Sequence, residues 1–191
     1  MLKELKAAIV IFLALTFVTG IVYPLLVTAV AQLVFPHQAN GSLIVQGDKI
    51  IGSQLLGQGF DDPKYFWGRP SATAAFPYDA SSSTGSNFGP TNPDQLKAVS
   101  ARLDAIHKAQ PDDPRLVPVE LVTASASGLD PEISPAAAEF QIARIAKARD
   151  VSEEKIRALV AAQTQGRTLG VLGEPCVNVL KLNLALDAPI K

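Results

Sequence analysis

The 191-residue chain holds one cysteine, one tryptophan and two histidines. A single thiol, Cys176, excludes an internal disulfide, so a domain working in an oxidising compartment must be held by packing or by a partner. No Cys/His cluster with metal-ligand spacing and no H-E-x-x-H pattern is present. His37 follows an apolar run and His107 falls on the polar side of an expected helix; both read as solvated surface residues. Neither belongs to a nucleophile motif such as G-x-S-x-G. Asp61-Asp62 and Asp112-Asp113 resemble no calcium loop. Cys176, beside Pro175, reads as a buried small apolar side chain. Excess charge of either sign is missing too. The formal net charge is −1, which gives nucleic acid nothing to hold.

The largest absence is local. Residues 7–35 contain no formal charge over 29 positions. About 20 such residues cross the hydrocarbon core as a helix, and this run would be roughly 43 Å long. A secretory signal is the competing reading, since Lys3 and Lys6 form a positive flank and Ala29-Val30-Ala31 looks like a cleavage site. Its apolar region, however, normally runs only about 7–15 residues. The expected organisation is therefore residues 1–6 in the cytoplasm, 7–35 across the bilayer and 36–191 as one extracytoplasmic α+β domain. The orientation rests on Lys3 and Lys6 preceding the apolar run. Removing Lys3, Lys6 and Glu4 from 17 basic and 18 acidic residues leaves 15 and 17 in the domain, nearly neutral. Within the anchor, Thr16, Gly20, Pro24 and Thr28 fall on one i,i+4 row of small or weakly polar residues, which lets another helix approach closely. Pro24 should bend the helix near mid-depth.

What is present after residue 35 is mostly helix signals separated by long loops. Short strands are expected at 42–45 and 49–53 with Gly47-Asp48 as the turn. Asn92-Pro93-Asp94-Gln95 opens a helix to about residue 108, with Leu96, Val99, Leu103 and Ile106 as its apolar face. Residues 116–123 read as an edge strand interrupted by Pro118. Ser134 caps a helix over 135–149, and Asp150-Val151-Ser152-Glu153 reads as a capping box for a third, with Ile156, Leu159, Val160 and Gln163 inward. Residues 178–186 alternate, with four leucines on one side, as a half-buried strand does. Between these elements lie an aromatic patch (Phe60, Tyr65, Phe66, Trp67) and a polar segment over 71–92 without periodicity. So long a loop is functional or packed on a partner. The glycines of Gly52-Ser53-Gln54-Leu55-Leu56-Gly57 have phosphate-loop spacing, but no lysine follows, so a turn beside a strand is the better reading.

The blocks Gly52–Gln58 and Pro63 through Tyr65-Phe66 to Arg69-Pro70-Ser71-Ala72 resemble KdpC, a family of potassium-transporting ATPase subunits. Ser83-Thr84-Gly85-Ser86-Asn87 and Gly89-Pro90 resemble its serine/glycine/asparagine loop. The run from Leu121 through Ser125, Ser127, Gly128 and Asp130-Pro131 to Ala137, and the Gly173-Glu174-Pro175 and Val177–Leu180 blocks, agree as well. Cys176 stands where a basic residue is common, and Ala126 where glycine is expected. The resemblance implies a single-span, non-catalytic accessory subunit of an ATP-driven potassium importer in the bacterial inner membrane. Its implied partners are a channel-like potassium-binding subunit and a P-type ATPase subunit, with ATP and potassium used by the complex and no cofactor held by this chain. The family has also been described as a catalytic chaperone raising ATP affinity, through a stretch matching Leu55, Leu56, Gly57, Gln58 and Gly59. That conflicts with an extracytoplasmic domain, because ATP is cytoplasmic; another family-level view places the domain over the outer mouth of the channel-like subunit. Topology is the stronger constraint. The interface candidates are then Thr16, Gly20, Pro24, Thr28, Tyr65, Trp67, Arg69, Ser86, Asn87, Ser125, Ser127 and Asp130. The rival readings are a membrane-anchored module binding an extracytoplasmic solute through the 60–67 aromatics, and an anchored hydrolase using a serine of 81–83, which lacks a base.

Overall fold

A computed structural model describes residues 2–188. The chain divides after Ile51 into two compact units. In the first, α1 (Leu2–Phe17) passes through a π-helical turn (Val18–Val22) into α2 (Tyr23–Val34). The stretch Lys3–Val34 is 32 residues long, apolar enough to cross a membrane, and has no buried residue. Pro24 explains the π-turn. Its ring would strike the carbonyl four residues back in a regular helix. Here the ladder widens just before it, and the Tyr23 N–H reaches back to Val18 O. The expected disturbance at Pro24 thus takes the form of one widened turn. Pro36 then restarts a short helix, α3 (Pro36–Ala39). Strands β1 (Leu43–Gln46) and β2 (Lys49–Ser53) form a hairpin, and Gly47 in the turn has φ +61°.

The second unit holds α4 (Pro93–Ala109), β3 (Glu132–Ile133), α5 (Pro135–Arg149), α6 (Glu153–Gln163), β4 (Thr164–Gln165), β5 (Cys176–Asn178) and α7 (Val179–Asp187). It is an α+β domain, as expected. The three strands are antiparallel in the order β3-β5-β4, with Val177 opposite both Ile133 and Thr164. Helix α5 is the centre: Ala137, Ala138, Phe140, Ile142, Ile145 and Ala146 are all buried. Ile156 of α6, Leu182 of α7 and Phe66 from the long loop have no exposed surface and complete the core. Burying Phe66 alone is worth about 2–3 kcal/mol. Caps act where the sequence places them. Asn92 Oδ1 accepts the Asp94 N–H at 2.9 Å, and Ser134 Oγ accepts that of Ala137 at 3.1 Å.

Five local expectations are corrected. Residues 116–123 make a 3₁₀ turn at Val119–Leu121, not a strand. Pro118 removes a ladder donor, and its carbonyl instead accepts the Leu121 N–H at 3.0 Å. The strand expected over 178–186 ends at Asn178, whose side chain accepts the Lys181 N–H at 3.1 Å and starts α7. Asp150 is not part of a capping box; it ends α5 in the left-handed region at φ 54°, and Ser152 caps α6 without a side-chain bond. Leu96 faces out at 67% exposure, and Cys176 is only half-buried.

Candidate functional site

The loop over 59–70 carries the aromatic patch and lies along α5 and α7 as a strand would, but its pairing partners are side chains. Asn183 on α7 accepts the Phe66 N–H at 2.9 Å and donates to the Phe66 carbonyl at 3.0 Å. Gln141 on α5 does the same for Trp67, accepting at 2.8 Å and donating at 3.1 Å. One turn further, Arg144 donates to the carbonyls of Pro63 and Tyr65 and to the Gln110 and Gln141 side chains. Its guanidinium also lies 4.4 Å from the Trp67 ring centre. Burial lowers Arg144 to about 10, still protonated at neutral pH. Arg149 closes the row, donating to Lys64 O at 2.7 Å and pairing with Asp187 at 2.8 Å. The Tyr65 hydroxyl donates to Asp187 at 2.8 Å, which holds the phenol proton and raises its pKa.

A second knot joins this loop to residues 125–130. Arg69 pairs with Asp130 at 3.0 Å, and the Tyr78 hydroxyl donates to Arg69 O at 2.7 Å. Burial, then the Asp130 charge, raises the Tyr78 pKa. Ser71 Oγ donates to Gly128 O at 2.7 Å, and Ser125 N–H donates to Pro70 O at 3.0 Å. Ser127 and Ser125 hydroxyls meet at 3.1 Å, and Ser83 Oγ donates to Ser127 O at 2.9 Å. Gly57 N–H donates to Leu129 O at 2.9 Å, and a Cβ there would strike the Tyr78 ring and stand 2.6 Å from Asp130 O. Gly59 has open space instead, and Leu55 is exposed. Residues 55–59 lead into no helix; the next begins at Pro93.

Thus Tyr65, Trp67, Arg69, Ser125, Ser127 and Asp130 are brought into one network with Gly57. Ser86 and Asn87 stand toward the surface, Asn87 at φ 53°. Thr16, Gly20, Pro24 and Thr28 belong to the other unit. Much of the 71–92 segment is held by the domain itself, with Thr73 and Asp79 buried and Tyr78 N–H bonded to Ser71 Oγ at 2.8 Å. Between α4, α5 and the 59–78 loop lies a cavity of about 420 Å³, walled by Phe60, Trp67, Tyr78, Arg102 and Phe140 among others. Burial and Glu132 push the Cys176 thiol up to about 11, so it is not a thiolate at neutral pH. Among the described residues, no three His, Cys, Asp or Glu side chains converge to hold a metal ion.

The family profile described as "K+-transporting ATPase, c chain" matches residues 5–188. The chain belongs to this family, KdpC. A potassium-transporting ATPase KdpC subunit of Sorangium cellulosum is 60% identical over 187 residues, covering 98% of each chain. Those of Burkholderia orbicola and Burkholderia cenocepacia are 59% and 60% identical over 184 residues, covering 96% of this chain and 95% of theirs. In this KdpC chain the residues that sequence reading missed are the polar side chains of the clamp: Gln141, Arg144, Arg149 and Asn183. A signal existed. Gln141 and Arg144 are three apart on the buried face of α5, and Asn183 interrupts a leucine run. Polar groups at such positions need partners, and loop backbone supplies them.

Proposed function

We propose that this chain is the non-catalytic accessory subunit of an ATP-driven potassium importer, tethered by its apolar N-terminal helix. The carrying observation is the family match across 5–188, supported by relatives that match over 95–98% of their length and are named as potassium-transporting ATPase KdpC subunits. The helix crosses the bacterial inner membrane with its N-terminus in the cytoplasm, and the α+β domain stands outside. The partners are a channel-like potassium-binding subunit and a P-type ATPase subunit. The anchor row Thr16, Gly20, Pro24, Thr28 and the outer edge at Ser86 and Asn87 face those partners. Tyr65, Trp67, Arg69, Ser125, Ser127 and Asp130 fix the shape of the loops that carry the contact. Any influence on ATP use travels through the assembled complex rather than by contact between Leu55, Leu56, Gly57, Gln58 or Gly59 and nucleotide.

The test is a pull-down of the tagged full chain from potassium-starved cells. It should bring down two large membrane proteins with potassium-stimulated ATPase activity, and deletion of the gene should abolish growth at micromolar potassium. A chain that purifies alone, with potassium uptake intact after its deletion, overturns the assignment.

A further inference from the structure

The domain's arginines have one odd member. Arg69, Arg115, Arg149, Arg157 and Arg167 each pair with a carboxylate, at 2.6 to 3.0 Å. Arg144 lacks one but donates to four oxygen acceptors. Among the described residues, Arg102 alone has neither: it is half-buried and makes one bond, Nη1 to Val122 O at 2.9 Å. Burial lowers its pKa and no acid opposes that effect. A half-buried guanidinium that uses one donor and meets no carboxylate has donors free for an anionic ligand.

Arg102 stands in the wall of the 420 Å³ cavity, whose size falls within the range of small-molecule sites. Most of the remaining wall is aromatic or apolar. The polar neighbours are already engaged: Gln141 is committed to Trp67, and Gln110 donates to Asp113 and Phe140 O. Asp61 lines the same cavity and disfavours a second negative charge on an occupant. Arg102 also borders a smaller space of about 80 Å³ beside Gln95, whose Oε1 is buried without a partner. Water there would serve Gln95 but could not supply a counter-charge.

We propose that this cavity binds a small aromatic or apolar monocarboxylate, with its ring against Phe60, Trp67 and Phe140 and its carboxylate on Arg102. The site stands whether or not the chain works in a pump.

Trp67 is the chain's one tryptophan, so its fluorescence reports on the cavity directly. The full chain in phosphatidylcholine vesicles is titrated with 4-phenylbutyrate and with the neutral 4-phenylbutyramide. The acid should give a saturable change at roughly ten- to a hundredfold lower concentration than the amide, the span of a charge-assisted bond. Arg102→Gln should erase that preference. Ala105→Phe, on the exposed face of α4 at the cavity wall, should block both ligands with Arg102 intact and provides a second route if Arg102→Gln misfolds. No saturable change in the native chain, equal affinity for acid and amide, a preference retained in Arg102→Gln, or unchanged binding in Ala105→Phe overturns the proposal.

Discussion

Gly57 and Gly59 sit two residues apart in a stretch once linked to nucleotide, yet their surroundings differ. A methyl at Gly57 collides with Tyr78 and the Asp130 backbone, whereas one at Gly59 meets nothing within 4 Å. Gly57→Ala should therefore destabilise the domain by about 1–3 kcal/mol, and Gly59→Ala by less than about 0.5 kcal/mol. Chemical denaturation of the full chain in detergent checks both; equal losses would mean that packing is not what Gly57 serves. A charge gives a second case. The Arg115 guanidinium beside Asp113 holds its carboxyl down at about 2, helped by the Arg115 and Gln110 hydrogen bonds. A carboxyl depressed on folding contributes stability above its ordinary value of 3.8, and loses it as pH falls toward 2. Arg115 is nearly half exposed, so solvent screening limits the contribution to about 1 kcal/mol. The stability gap between native chain and Asp113→Asn should be flat above about pH 5 and close between about pH 4 and 2. Unfolding midpoints measured across that range decide it, and a constant gap would refute the pairing.

At the scale of elements, the π-turn changes what the anchor presents. An i,i+4 row drifts by about 40° per step around a regular α-helix. The wider turn at Val18–Val22 removes part of that drift, which keeps Thr16, Gly20 and Pro24 closer to one line. Gly20 has open space around it, so Gly20→Leu leaves the chain's own packing alone and tests contact with another helix. Co-purification of pump subunits should fall for Gly20→Leu and hold for Leu13→Phe and Leu26→Ile; equal yields would show that the row is not the contact. The elements are legible where a cap and a period agree. Asn92-Pro93 and Ser134-Pro135 begin α4 and α5 as expected, because both cues act within a few residues. Helix α7 misleads because V-L-K-L-N-L-A-L fits two periods. Its leucines alternate, but Val179, Leu182, Asn183 and Leu186 are also spaced by helical steps, and all four are buried. The Asn178 cap and the helix preference of Leu, Lys and Ala decide the outcome. The clamp is only half legible: polar residues on buried helix faces mark its donors, but its loop-backbone partner lies far off in the chain, and no local pattern records it.

On the whole-molecule scale, a protease that cannot cross the membrane should digest the domain in spheroplasts while a short N-terminal tag survives. Protection of the domain would reverse the proposed orientation. A mature chain starting at Gln32 would instead mean that the apolar helix is a cleaved signal. The apolar helix is plain in the sequence because 29 uncharged residues admit few other uses. The network around Arg69 and Asp130 is visible there only as motifs, since its bonds join segments some 60 residues apart. The Phe66–Asn183 amide pair spans 117 residues, further still. Synthesis runs from the N-terminus, so the aromatic loop emerges long before the helix that holds it. Until Asn183 arrives, Phe66 lacks its backbone partner, although much of the core cluster it joins has already been made. The two bonds between Phe66 and Asn183 can therefore form only after nearly the whole domain has been made, and they close a loop of 117 residues. Helix α7 thus arrives last and supplies the backbone partner of a loop made more than a hundred residues earlier.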